Sequence, residues 1–80
     1  MLDIRHFIND SSFQIIYRNN ELDIINYKNI NYIFDNKISI SSNDNNLLIT
    51  GLNLYAKKLL NNEILVAGNI KKVEVLWVII

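Results

Sequence analysis

The sequence predicts an all-β fold, a single small domain of about eight short, mostly antiparallel strands arranged as a sandwich or roll. Three observations carry that expectation. Polar clusters of Asn, Asp and Gly recur at short intervals, as turns do between short strands. Apolar and polar residues alternate cleanly between several of them, as in Leu22-Asp23-Ile24, Lys37-Ile38-Ser39-Ile40-Ser41 and Val73-Glu74-Val75. Isoleucine is abundant, and its β-branch suits a pleated surface better than a helix.

Taken in order, the strands are expected near Phe13–Tyr17, Glu21–Ile25, Ile30–Phe34, Lys37–Ser41, Leu47–Thr50, Leu52–Lys57, Glu63–Ala67 and Ile70–Trp77. The turns between them fall at Asn19-Asn20, Asn26 to Asn29, Asp35-Asn36, Asn43 to Asn46, Asn61-Asn62 and Gly68-Asn69. Gly51 and Gly68 are expected as turn glycines, closing strands with positive φ. Leu47-Leu48-Ile49-Thr50-Gly51 and Ile64-Leu65-Val66-Ala67-Gly68 match position for position, which leaves a short β-solenoid as the alternative architecture.

Two stretches compete for helix. Leu2–Ile8 could make one helical turn and is too short to be stable alone. Leu52, Tyr55, Ala56 and Leu59 stand at helical spacing, while Leu52, Leu54 and Ala56 alternate as a strand would. Strand is favoured there because its neighbours on both sides are strands. Residues 1–12 read as an N-terminal extension and 13–80 as the β domain.

Composition narrows the function. The chain has 80 residues, no cysteine, no proline and two glycines, with eight acidic side chains balancing eight basic ones. That length allows one domain, burying roughly 60–65% of the surface its unfolded chain exposes. Without cysteine there is neither disulfide nor zinc-thiolate chemistry. Zero net charge gives no electrostatic footprint for nucleic acid or an anionic membrane. With half the residues hydrophobic, the chain is too apolar for disorder. The longest apolar run, Val75-Leu76-Trp77-Val78-Ile79-Ile80, cannot span a bilayer core, and the first residues lack the pattern of a secretory signal. A cytoplasmic location follows as the expectation. The wealth of Ile, Asn and Lys points to a low-GC bacterial genome.

Chemistry-bearing residues are sparse. His6 is the single histidine, so one chain cannot offer two histidine ligands. The carboxylates of Asp3, Asp10, Glu21, Asp23, Asp35, Asp44, Glu63 and Glu74 are scattered with no spacing that suggests an acid–base pair. Ser41 to Asn46 is rich in oxygen but lacks the glycine and closing glutamate of a Ca²⁺ loop. No catalytic, cofactor or metal site is therefore expected. A small β-barrel binding single-stranded nucleic acid is the alternative, through Lys57-Lys58, Lys71-Lys72 and the aromatic side chains. Yet paired lysines on a strand point to opposite faces, and edge lysines commonly serve to discourage strand addition.

One surface is expected at the C-terminal strand. Val73, Val75, Trp77 and Ile79 share one face of it, and the other face becomes wholly apolar beyond Glu74. Val75, Trp77, Val78, Ile79 and Ile80 thus form a candidate interaction strand, with Trp77 as its aromatic anchor, the alternative being a central strand fully covered within the domain.

Four stretches, Glu21 to Ile30, Lys37 to Ile40, Leu47 to Leu54, and Asn62 to Glu74, follow one another in a recognisable order. That order resembles the YabP/YqfC family of sporulation proteins from endospore-forming bacteria, the YqfC type most. In the four stretches two strands end in an apolar-x-apolar-x-Gly pattern and a last strand follows the Ile-x-x-Val-Glu type. Asn29 and Asn45-Asn46 stand where the YqfC type commonly has glycine, and Ser11-Ser12-Phe13 replaces its Pro-Arg approach. The resemblance implies a non-enzymatic protein of the mother cell, needed for assembly of the spore envelope, its coat and cortex. It further implies a membrane partner of the YqfD or YabQ kind at the forespore membrane, with a homo-oligomer as a further option.

Overall fold

The computed structural model describes residues 13–77. The fold is all-β: six strands, every neighbouring pair antiparallel, form one open sheet in a single small domain. They are β1 (Gln14–Arg18), β2 (Glu21–Ile25), β3 (Asn29–Ile33), β4 (Lys37–Ser41), β5 (Asn45–Leu59) and β6 (Glu63–Trp77), in the sheet order β1-β2-β6-β5-β4-β3.

Local chemistry sets the connections. Asn19 and Asn20 both take positive φ, 53° and 61°, the conformation of the tight hairpin turn whose twist matches its strands. Phe34 and Lys37 exchange backbone hydrogen bonds around Asp35-Asn36. The Ser42 amide donates to the Asn45 carbonyl, and the Leu60 amide to the Glu63 carbonyl, closing the turns at Asn43-Asp44 and Asn61-Asn62. Asn26, at φ 64°, ends β2; its amide donates to the Asn62 carbonyl, and the Tyr27 hydroxyl donates to the Leu60 carbonyl, both at 2.6 Å. The link from β2 to β3 is thereby tied to the far end of the β5–β6 hairpin.

Where eight strands were expected there are six among the described residues, because Gly51 and Gly68 do not turn the chain. The expected strands at Leu47–Thr50 and Leu52–Lys57 run together as β5, and those at Glu63–Ala67 and Ile70–Trp77 as β6, each of 15 residues. The expected turn at Gly68-Asn69 lies inside β6. Bulges replace the turns: the β5–β6 register shifts between Thr50 and Gly51, between Leu52 and Tyr55, and between Ala56 and Lys58. Only Gly68 has positive φ, at 114°, and Gly51 does not. Both glycines are instead demanded by close approach. A β-carbon on Gly51 would collide with the Asn69 carbonyl oxygen, and one on Gly68 with the carbonyl of Asn53. All-antiparallel pairing also excludes the solenoid, whose stacked rungs run parallel.

Strand prevails over helix at Leu52–Leu60. Leu52, Tyr55 and Leu59 of the helical stripe are all more than half exposed, while Leu54 is buried. The bulge at Asn53-Leu54 reverses which side of β5 faces inward, so Leu52 points out and Leu54 in.

The core is built on the four inner strands of the sheet. Leu22 and Ile24 of β2 and Ile64 and Val66 of β6 meet Ile38 and Ile40 of β4 and Leu47 and Ile49 of β5, with Leu54 at the bulge. Cross-strand register explains the grouping, since Leu22 faces Val66, Ile24 faces Ile64, Ile38 faces Ile49 and Ile40 faces Leu47. The helical turn expected at Leu2–Ile8, the extension over 1–12, His6 and the tail residues Val78, Ile79 and Ile80 lie outside the described residues.

Candidate functional site

The two long strands are each covered over only part of their length. β2 pairs with the first part of β6, from Glu63 to Val66, and β4 with the first part of β5, from Asn46 to Thr50. Past its bulge, the β5 edge is partly capped by the β3–β4 turn, whose Asn36 and Asp35 carbonyls accept from the Gly51 and Leu54 amides at 3.1 and 2.8 Å. Among the described residues no strand pairs with β6 beyond Val66 on the side that β2 occupies. The second half of β6 is therefore a free edge, roughly nine residues from Asn69 to Trp77.

Its apolar side chains are short of cover. Val73 pairs with Ile49 and Val75 with Leu47, so in an antiparallel ladder each valine shares a face with a fully buried partner. Yet Val73 and Val75 are 39% and 43% exposed, and Leu76 on the opposite face is 52% exposed. The core-facing side of the sheet simply runs out past the core here.

A groove opens at the same place. Ile15 and Tyr17 of β1 and Leu22 of β2 face Ile70 and Val73 of β6 across a cavity of about 360 Å³, with Lys71 and Lys72 beside it. Tyr17 shares the inward face with its partner Leu22 but remains 56% exposed, because the groove lies over it. An extended segment laid along β6 would find unpaired backbone groups on one side and this apolar trough beneath.

Of the expected interaction strand, Val75 and Trp77 fall on the free edge, Trp77 opposite Asn45 in register. Val78, Ile79 and Ile80 lie beyond the described residues. The sequence pointed to the strand but not to the β1 side of the groove. Ile15 and Tyr17 carried the right alternation, but nothing local signals that β6 passes them uncovered.

The remaining polar groups are mostly matched to one another. The Lys57 ammonium donates to Glu21 Oε2 at 2.6 Å, Lys58 lies 3.7 Å from Glu63, and Lys72 lies 3.7 Å from Glu74. The Glu21 carboxylate holds the Lys57 ammonium above its ordinary pKa of 10.5. Asp23 lies on the outward face of β2, lining a second, smaller depression with Arg18, Lys58 and Glu63. Its pKa is raised from the ordinary 3.8, chiefly by burial, then by a hydrogen bond to Glu63 and repulsion from that same carboxylate. Among the described residues no three His, Cys, Asp or Glu side chains gather as metal ligands. Nor is there among them a helix long and apolar enough to cross a membrane.

No family model, curated protein or solved structure matches the chain.

Proposed function

We propose that this protein is a non-enzymatic interaction module that captures an extended segment of a partner along the free edge of β6, in the service of spore envelope assembly. The observation that carries the reading is the second half of β6, an unpaired edge whose inward valines remain exposed above an apolar groove. Strand addition uses such edges: backbone hydrogen bonds supply affinity and alternate side chains supply specificity. In this reading the open sheet is the expected roll, with the groove as its mouth between β1 and β6.

The sporulation context rests on the resemblance of Glu21 to Ile30, Lys37 to Ile40, Leu47 to Leu54 and Asn62 to Glu74 to the YabP/YqfC family. The partner is then a membrane protein of the YqfD or YabQ kind, met at the forespore membrane by a mother-cell cytoplasmic protein. The ion pairs that engage Lys57, Lys58 and Lys72 weigh against single-stranded nucleic acid as the ligand.

The test is genetic and then structural. Disrupting the gene in its native host should leave vegetative growth intact and give spores with a defective coat or cortex. The pair Val73→Lys and Val75→Lys should reproduce the defect with the protein present and folded. Normal spores from the disrupted strain would refute the sporulation role; full rescue by the valine variant would refute the edge.

A further inference from the structure

The free half of β6 carries its own complement. On the face away from the core, Lys72 and Glu74 stand on either side of Val73, their side chains 65% and 38% exposed. Consider two copies of this strand, antiparallel and related by a two-fold axis through Val73. Residue 72 of one then lies directly opposite residue 74 of the other, and the arrangement occurs twice. Each lysine faces the other copy's glutamate, and Val73 faces its own equivalent on the inward side. Opposite charges directly across an antiparallel pair stabilise it, and like charges there oppose it. Shifting the axis by one residue, to Lys72 or Glu74, sets a lysine or a glutamate against itself. Of these three registers, charge selects the one centred on Val73.

We propose that a second copy of this chain occupies the free edge of β6, pairing antiparallel about Val73 to join two sheets into one. The exposed Val73 and Val75 of both copies then form a single inward strip, continuous with the groove beneath Tyr17 and Ile70. The proposal rests on the reading of β6 as the interaction edge and names what fills that edge when no other partner does. Any other partner that adds a strand there must displace the second copy.

The experiment uses the purified full chain alone, so it does not depend on sporulation or on a membrane partner. Sedimentation equilibrium of the wild type should give a dimer. Glu74→Lys alone sets lysines opposite lysines, and Lys72→Glu alone sets glutamates opposite glutamates. Each should weaken the dimer at least tenfold while keeping a cooperative thermal transition. The double variant Lys72→Glu with Glu74→Lys should recover it. An equimolar mixture of the two single variants should give a heterodimer, because each lysine then meets a glutamate again. A monomeric wild type would overturn the proposal and leave the spore phenotype to be judged separately. A dimer indifferent to both single substitutions would overturn the Val73 axis, and with it the stated interface. Failure of the mixture to associate would do the same.

Discussion

The backbone carbonyl of Asn53 lies directly against Gly68, close enough that a β-carbon on the glycine would stand 2.9 Å from the Asn53 carbonyl carbon. Both residues have positive φ, 54° for Asn53 and 114° for Gly68. This one contact makes the bulge at which β5 exchanges its outward and inward faces. Gly68→Ala combines collision with a disfavoured backbone and should cost about 1–3 kcal/mol in urea unfolding. Gly51→Ala has ordinary φ, but its β-carbon strikes the Asn69 carbonyl, so it should also lower the midpoint. An unchanged midpoint for Gly68→Ala would remove the bulge.

The Asn19-Asn20 turn gives a sharper contrast. Both residues sit in the left-handed region, where a side chain such as alanine's is disfavoured by roughly 1–2 kcal/mol per residue. Asn20→Ala should therefore destabilise the protein, and Asn20→Gly should leave it as stable or more so. If the two variants melt alike, the hairpin does not use that turn.

Asp23 predicts a pH dependence of definite sign. Its carboxyl titrates above the ordinary 3.8 in the folded chain, for reasons of burial and of Glu63. Protons are thus held more tightly folded than unfolded, so this group's contribution is fully present below 3.8 and is lost as pH rises through the folded pKa. At neutral pH the charged Asp23 is a liability. Asp23→Asn should raise the urea midpoint at pH 7 and flatten its change between pH 4 and neutrality. A lower midpoint at pH 7 would contradict the assignment.

Ile24 and Val75 separate core from edge. Ile24 has no exposure and should cost about 2–5 kcal/mol on truncation to alanine. Val75, 43% exposed on the free edge, should cost about 1 kcal/mol or less. Comparable losses at both would mean that β6 is covered along its second half.

The strand pattern was largely legible because local chemistry decided it. Isoleucines at every second position of Lys37–Ser41 left one register that buries both, and Asn19-Asn20 allowed one tight turn. The glycines misled for an equally physical reason. A glycine that permits a turn and one that admits a neighbouring carbonyl look the same in sequence; only pairing β5 with β6 distinguishes them. The bulges, too, were hidden, since a reversal of facing at Asn53-Leu54 mimics helical spacing from Leu52 to Leu59. Of the candidate site, Val75 and Trp77 could be named from the apolar run alone. The groove required Tyr17 and Val73, far apart in the chain, to be brought to one mouth.

The sheet order has a consequence for how the chain reaches this state. β3, β4, β5 and β6 follow one another as a meander, each strand beside its predecessor. The first hairpin is different: Leu22 must find Val66, and Ile24 must find Ile64, across the whole intervening chain. Closing so long a loop carries a chain-entropy cost that adjacent hairpins escape, and such distant pairings slow folding. Chain entropy thus favours assembly of the meander before β1–β2 docks onto it. Until that docking, β6 stands bare along its entire outer side, and the nascent protein is most open to joining a neighbour.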